Sequence, residues 1–292
     1  MNSDLFSSLI RGGLGLTCGV AALGFAYASV VETNTIVTET VDFRLPRLGP
    51  EFDGLRVAQI SDLHFRPYTG EREIAAAVKA VNDAHPDLIV LTGDYVTSTW
   101  LFRIGQRTAD GIEDCAEILK QLSAPLGVYA VLGNHDWGTD PDRIAEALRA
   151  VGITVLRNQA IAVERGHSRL WIAGTDCAYF HHADLQRTLS PVRDNDPVLL
   201  LAHEPDFADF AAFYPVDLQL SGHSHGGQIV APIMGAPFLP PMGRKYVRGR
   251  FRVRKMQLYT NRGIGVGGAP VRYNAPPEVT LVRLNAVTGC TL

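Results

Sequence analysis

Apolar runs that break off in polar tips recur along this chain. Val57-Ala58-Gln59-Ile60 leads into Ser61-Asp62-Leu63-His64, and Leu88-Ile89-Val90-Leu91 leads into Thr92-Gly93-Asp94. The run from Gly127 to Leu132 stops at Gly133-Asn134-His135-Asp136, and Val198 to Ala202 ends on His203. Leu218-Gln219-Leu220 opens into Ser221-Gly222-His223-Ser224-His225. Uninterrupted apolar runs of this length predict buried strands, and the glycines mark where several of them end. Between the first three runs the period changes. Ile74, Val78 and Val81 fall at i, i+4 and i+7, which predicts an amphipathic helix over residues 71–84. Ile112, Cys115, Leu119 and Leu122 mark a second helix, and Asp140-Pro141 supplies the N-cap and first-turn proline of a third, with Ile144, Leu148 and Val151 inward. Beyond residue 152 short strands follow one another, at 153–156, 159–164, 169–173, 197–202, 217–220 and 279–284. Residues 32–48 alternate and predict an exposed or edge strand, punctuated by Pro46 and Pro50. The order is that of an α/β chain, whose chemistry collects at strand ends.

Composition adds two bounds. At 292 residues and 46% hydrophobic content, the chain can bury a substantial core. A net charge of −3 gives no case for a nucleic-acid partner. The four cysteines, Cys18, Cys115, Cys177 and Cys290, are far apart and form neither a disulfide pattern nor a zinc ribbon, so each reads as a small apolar residue. The stretch from Gly12 to Val31 contains no charged residue. As a helix it would be roughly 30 Å long, enough to span a bilayer. Ala26-Tyr27-Ala28 resembles a signal-peptidase site, so a cleaved signal peptide and an uncleaved anchor both fit.

The strand tips assemble a ligand set. Asp62, His64, Asp94, Asn134, His203, His223 and His225 combine carboxylate, imidazole and amide oxygen without thiolate. That mixture suits Mn²⁺, Fe²⁺ or Zn²⁺ and is too rich in nitrogen for a dedicated Mg²⁺ or Ca²⁺ site. Seven ligands exceed the need of one ion with an open position, and a carboxylate shared by two ions roughly 3.5–4 Å apart accounts for the number. Asp62-x-His64 and His223-x-His225 place their members on one side of an extended chain. His85, His167, His181 and His182 belong to no such motif and read as ordinary structural or surface residues.

Taken in order, Asp62-x-His64, Gly93-Asp94, Gly133-Asn134-His135-Asp136, His203 and Gly222-His223-Ser224-His225 resemble the calcineurin-like metallophosphoesterase superfamily over about residues 54–284. The resemblance implies an α/β fold with a two-sheet β-sandwich flanked by helices, a four-layer αββα arrangement. It implies a first divalent metal held by Asp62, His64 and His225, and a second held by Asn134, His203 and His223, with Asp94 bridging. Mn²⁺ is the foremost choice, with Fe²⁺ or Zn²⁺ as alternatives. His135 would be the histidine that binds no metal, stabilising phosphoryl oxygens and protonating the leaving oxygen, with Asp136 helping to orient it. The domain organisation that follows is a signal peptide or transmembrane anchor at 1–31, an edge strand and linker at 32–53, and a metallophosphoesterase catalytic domain at 54–292.

Substrate class is narrowed by departures from the wider family. Tyr95-Val96-Thr97-Ser98 stands after Gly93-Asp94 where protein serine/threonine phosphatases carry Asp-Arg-Gly. Ser-Asp-Leu-His, Ala202-His203-Glu204-Pro205, Gly-His-Ser-His-Gly-Gly-Gln and the turn from Arg262 to Gly265 are closer to a membrane-linked bacterial branch of phosphodiesterases and UDP-2,3-diacylglucosamine pyrophosphatases of lipid A synthesis. The expected substrate is therefore a phosphodiester or pyrophosphate, lipid-linked or joined to a UDP-sugar lipid. An exported, general cell-envelope phosphodiesterase is the alternative, and a non-catalytic binding scaffold of the same fold is the third reading. An exported catalytic domain is the expectation and a cytoplasmic face the alternative, because a nucleotide-linked substrate is made in the cytoplasm and conflicts with export. The apolar stretch Ala231 to Gly243 is followed by Arg244, Lys245, Arg248, Arg250, Arg252, Arg254 and Lys255. It reads either as a lipid-facing loop with a basic stripe or as a solvated hairpin, whose exposed face would alternate in this way. Arg262, Arg244 and Lys245 are the candidate substrate-binding cations.

Overall fold

The computed structural model describes residue 19 and residues 23–98, 109–193 and 195–287. Two mixed sheets of six strands carry the fold. The first has the spatial order β1 (Val37–Leu45), β12 (Glu278–Ala286), β2 (Leu55–Ile60), β3 (Leu88–Leu91), β4 (Val128–Ala130) and β5 (Thr154–Val155). The second runs β10 (Gly249–Val253), β11 (Met256–Thr260), β9 (Leu218–Ser221), β8 (Val198–Leu201), β7 (Ser168–Gly174) and β6 (Gln159–Arg165). β2 to β5 are mutually parallel, as are β7, β8, β9 and β11. Parallel strands end on the same edge of their sheet, which is how the polar tips reach a common end of the molecule.

Successive residues of each central strand serve different layers. Val57, Leu88, Val90 and Val131 pack between the sheets against Ile172, Leu199, Leu201, Leu218 and Leu220. Their neighbours Ala58, Ile60, Ile89 and Leu91 face the other way, onto Ile74, Val78 and Val81 of α1 (Glu71–Asp83), Ile112 and Cys115 of α2 (Ile112–Leu119), and Ile144 and Leu148 of the helix Pro141–Ala150. On the outer face of the second sheet, Trp171, Val198 and Leu200 pack with Leu185 and Ala208 from two further short helices, Leu185–Leu189 and Ala208–Ala211. Burial on both faces explains why these strands are continuously apolar. The expected helix–sheet–sheet–helix layering is present. Val151, expected inward, is the half-buried C-cap of its helix.

Several elements escaped the sequence reading. β11 carries no run to announce it, and the two helices on the second sheet are only five and four residues long. The basic stripe resolves as the hairpin β10–β11, with Arg250 and Arg252 outward and Gly249 paired with Thr260. Among the described residues no helix is long and apolar enough to cross a membrane. Half of the uncharged run expected as an anchor, and both Cys18 and Cys290, lie outside the described residues. Cys115 and Cys177 are buried free thiols.

β1 is an edge strand, paired in parallel with β12 from Val37 opposite Glu278 to Leu45 opposite Ala286. Its first residues are partly exposed, but Phe43 and Leu45 are buried between the sheets. The Phe43 ring meets Tyr259 edge-on at 6.4 Å, and the Arg250 guanidinium lies 4.6 Å from its centre. Phe43→Ala should lower stability by about 3–5 kcal/mol, the usual range for emptying a buried aromatic site. Urea unfolding reads this directly. A loss below about 1 kcal/mol, ordinary for a surface change, would mean that β1 is not held in the core.

Candidate metal centre

The tips do not converge by extended spacing, as the sequence suggested. Asp62, His64, Asp94, His223 and His225 have φ of 51, 45, 59, 69 and 52°. Left-handed backbone at a non-glycine residue costs on the order of 1–3 kcal/mol and persists only where surrounding contacts enforce it. Here they do. Asp62 N–H donates to Gly93 O at 2.9 Å, His64 N–H to Asp94 O at 3.0 Å, and Gly222 N–H to His203 O at 3.0 Å. Gly265 N–H donates to Asp62 O at 2.7 Å, tying the turn after β11 to the first tip. Glycine is required where the tips touch. A Cβ on Gly222 would fall on Ser61 Oγ and the Asp62 carboxylate, and one on Gly133 would fall on the Asp94 carboxylate.

Six of the seven expected ligands fall in overlapping groups. Asp62, His64 and His225 offer atoms within 4.8 Å of one another, as do Asp94, His203 and His223, and as do His64, Asp94 and His135. Asp94 sits at the junction, with Oδ2 3.2 Å from His203 Nε2 and 3.6 Å from His64 Nε2. Asp62 Oδ1 lies 3.5 Å from His225 Nε2 and 4.0 Å from His203 Nε2. Asn134 Oδ1 and His203 Nε2 are buried with no hydrogen-bond partner among the described residues. Buried polar atoms are rarely left unpaired unless an ion or water completes them, so the donor set fits divalent cations of the nitrogen–oxygen type.

Backbone carbonyls set the histidine tautomers. His203 Nδ1 lies 2.6 Å from Thr92 O and His223 Nε2 lies 2.8 Å from Pro241 O, so in each neutral ring those nitrogens carry the proton and the others are free to ligate. Burial holds His64 down to about 3, with His135 adding to the effect, and burial also depresses His223 and His225. Burial alone would raise Asp94, but His203 and His135 outweigh it and keep the carboxyl well below the usual range. Burial likewise opposes charge on His203, yet Asp94 beside it raises that ring well above its ordinary value.

His135 and Asp136 depart from expectation. Asn134–Trp137 is a helical turn, α3, rather than extended chain. Its third residue, Asp136, therefore curls back and is buried, with Oδ2 accepting from Asp94 N–H and Gly133 N–H, both at 2.8 Å, and Oδ1 from Tyr95 N–H at 2.9 Å. Burial, then the nearby Asp94 charge, push its carboxyl up to about 7 against the pull of these amides. Asp136 is thus a brace for the backbone of two strand tips and not the orienting partner of His135. That partner is Ser98, whose N–H lies 3.0 Å and Oγ 2.8 Å from His135 Nδ1. A loop serine with no motif around it gives no sequence signal for this role.

Asp94, Asn134, His135, His223 and His225 open onto a cleft of about 700 Å³ that Phe238, Leu239 and Pro240 also line. Of the three candidate substrate cations, Arg244 lines this cleft. Arg262 does not. It pairs with Glu278 at 2.7 Å and Glu39 at 3.0 Å, and packs over Gly226. Lys245 is turned away onto Asp209 at 2.7 Å. Each has a carboxylate closer to hand than the cleft, which its sequence neighbours could not reveal.

The fold and this cluster of ligands define a metal-dependent phosphoesterase, and comparison with known proteins agrees. The calcineurin-like phosphoesterase profile matches residues 55–227. The uncharacterised metallophosphoesterase YkuE of Bacillus subtilis (strain 168) is 34% identical over 285 residues, covering 97% of this chain and 95% of that one. The phosphodiesterase YaeI of Escherichia coli (strain K12) is 32% identical over 264 residues, with 89% and 93% covered. The UDP-2,3-diacylglucosamine pyrophosphatase LpxG of Chlamydia muridarum is 26% identical over 328 residues, with 92% and 95% covered. The chain belongs to the calcineurin-like phosphoesterase family and is a hydrolase.

Gly133→Ala should push the Asp94 carboxylate out of place. Bound divalent metal and phosphodiester turnover should then fall together, metal affinity by about 10–100-fold, the usual cost of disturbing the support of a ligand. Elemental analysis across a metal titration, with circular dichroism to confirm the fold, checks this. Unaltered affinity in the folded variant would show that Gly133 does not set the position of Asp94.

Proposed function

We propose that the chain hydrolyses a phosphodiester or diphosphate bond with two divalent cations, Mn²⁺ foremost and Fe²⁺ or Zn²⁺ as alternatives. The observation that carries this reading is the Asp94 carboxylate, lodged between two ligand groups with His135 alongside. Asp62, His64 and His225 would hold one cation and Asn134, His203 and His223 the other, with Asp94 common to both. Such a pair supplies Lewis acidity toward phosphoryl oxygens and makes a hydroxide nucleophile available near neutral pH. A non-catalytic scaffold would be marked by loss of His135 or several ligands, and all are retained.

His135 contributes a positioned proton. Because Nδ1 accepts from the Ser98 amide, the ring proton of the neutral tautomer sits on Nε2, the nitrogen left for the cleft. In this arrangement the ring donates a hydrogen bond to an oxygen on which charge builds, without giving up its only proton. We therefore assign His135 to stabilising phosphoryl oxygen, in preference to protonating the leaving group. Arg244 at the rim would bind the non-reacting phosphate or headgroup.

The substrate reading is a lipid-linked phosphodiester or diphosphate, with the chain held at a membrane by the uncharged N-terminal run. It is supported by the apolar side chains of Phe238, Leu239 and Pro240 that line the same cleft as the ligands, and by the pyrophosphatase named among the relatives. A general cell-envelope phosphodiesterase is the second reading, favoured by the phosphodiesterase relative at higher identity.

Two variants test the mechanism with bis-p-nitrophenyl phosphate and an alkyl phosphodiester. His135→Ala should keep both metals and lose about 10²–10³-fold in kcat, to a similar extent on both substrates, as expected for removing one donor to a developing oxyanion. A much smaller loss on the nitrophenyl ester would restore proton donation to His135. Asp94→Ala should lose both metals by elemental analysis. Retention of two tightly bound ions would rule out Asp94 as the shared ligand.

A further inference from the structure

Residues 231–243 contain no charged side chain and wall the cleft on one side while meeting solvent on the other. Ala231 N–H donates to Gly235 O and Gly235 N–H to Ala231 O, both at 2.9 Å, closing a turn that throws Pro232 to Met234 outward. Ile233 at its tip is 106% exposed, Met234 83% and Phe238 81%. Ile233 also has φ of +71°. A β-branched residue in left-handed backbone is a steric outlier, and a bare aliphatic tip gains nothing from water. Neither feature serves the fold, which points to a contact outside it.

This tip shares a strap of chain with the N-terminal helical segment. Tyr273 N–H donates to Gln228 O at 2.9 Å and Tyr273 O accepts from Val230 N–H at 2.8 Å. One residue earlier, Arg272 N–H donates to Ala28 O at 3.1 Å. Adjacent amides of extended chain point to opposite sides, so the strap joins Gln228 and Val230, at the base of the loop, on one side and Ala28 of the helical segment on the other. Leu23 and Val30 on the helical side are 74% and 65% exposed. The sequence leading into them is uncharged from Gly12 onward. At the base of the loop stand exposed cations. Arg248 donates to Asn274 O of the strap, and Arg244 opens onto the cleft.

We infer that the tip of residues 231–239 docks on an anionic lipid bilayer beside the exposed apolar flank of residues 23–31, so that the metal cleft opens at the headgroups. The uncharged tip, its cationic base and the uncharged run behind the helical segment match the apolar interior and anionic surface of such a bilayer. Phe238 belongs to both the tip and the cleft wall, so an acyl chain leaving the bilayer meets the cleft without crossing water. Docking deepens the lipid-linked reading of the substrate but does not depend on which bond is cut.

The test uses the full chain reconstituted in vesicles whose phosphatidylglycerol carries brominated acyl chains, which quench tryptophan on contact. Emission added by Ile233→Trp should be quenched. Emission added by Phe213→Trp, an exposed apolar residue on the outer face of the second sheet, should not. Absent quenching at 233, or equal quenching at both positions, would overturn the proposal. Brominated phosphatidylcholine should quench position 233 less, and equality would remove the anionic preference. A soluble dimer by light scattering that Ile233→Asn dissolves would assign the tip to a second copy and overturn lipid docking. Asn is at ease in left-handed backbone, so Ile233→Asn should fold and turn over soluble bis-p-nitrophenyl phosphate at the wild-type rate. Failure of the wild type on that diester would sink the phosphoesterase reading while leaving the quenching result standing.

Discussion

The centre hangs on one carboxylate that does not face it. Asp136 accepts from the amides of Asp94, Tyr95 and Gly133, which belong to the ends of two neighbouring strands. With those amides gathered on one buried carboxyl group, the β3 and β4 tips cannot move apart, and the Asp94 side chain is brought within 2.8 Å of His135 N–H. Buried hydrogen bonds are costly to break without replacement. Three of them on one residue help to hold the left-handed φ at Asp94. The close approach this produces explains the glycine at 133, since any side chain there would meet Asp94.

The second sheet is joined to the first by the same kind of contact. Asp62 accepts from His223 N–H through both carboxylate oxygens at 3.0 Å, and Gln59 donates to Ser221 O at 2.9 Å across the sandwich. These bonds do for two sheets what Asp136 does for two strands. The strand tips are therefore held by protein contacts alone, and the rings of His203 and His223 are each aimed by a carbonyl behind them. Such preorganisation is what lets a site act on charge as it develops without first rearranging.

Much of this was legible in the chain because the informative signals are local. A buried parallel strand must be apolar throughout, and its tip must stop being so; both facts are written in consecutive residues such as 88–94. The ligand types follow, whereas the two-sheet sandwich was implied by the resemblance of the ordered motifs to the phosphoesterase superfamily and not by the strands themselves, since burial on both faces also fits one helix-covered sheet. What the sequence did not carry is long-range. Ser98 reaches His135 across 37 residues, and Arg262 meets Glu39 across 223. The left-handed turns at Asp62, His64 and His225 were missed for the opposite reason. Spacing rules assume ordinary backbone, and here the backbone is strained by contacts between elements.

The segment before the main domain is wired into the centre as well as into the sheet. Glu32, buried, accepts from Ala275 N–H at 2.7 Å, and Arg272, fully buried, donates to the carbonyls of Ala275, Arg262 and Gly263. Burial is the main force lowering that guanidinium, to about 10, which leaves it charged at neutral pH. Its donors hold the turn whose Gly263 packs on Asp62 and whose Gly265 amide binds Asp62 O. A chain of three buried polar contacts thus runs from the end of the apolar helical segment to Asp62, a candidate metal ligand. A flexible tether would need none of them, because a linker only has to span a distance. A cation as costly to bury as Arg272 is better explained by a fixed geometry between the N-terminal segment and the cleft. The same strap carries the exposed loop on its other side, so whatever surface receives the apolar residues at 23–31 also sets the orientation of the cleft toward it.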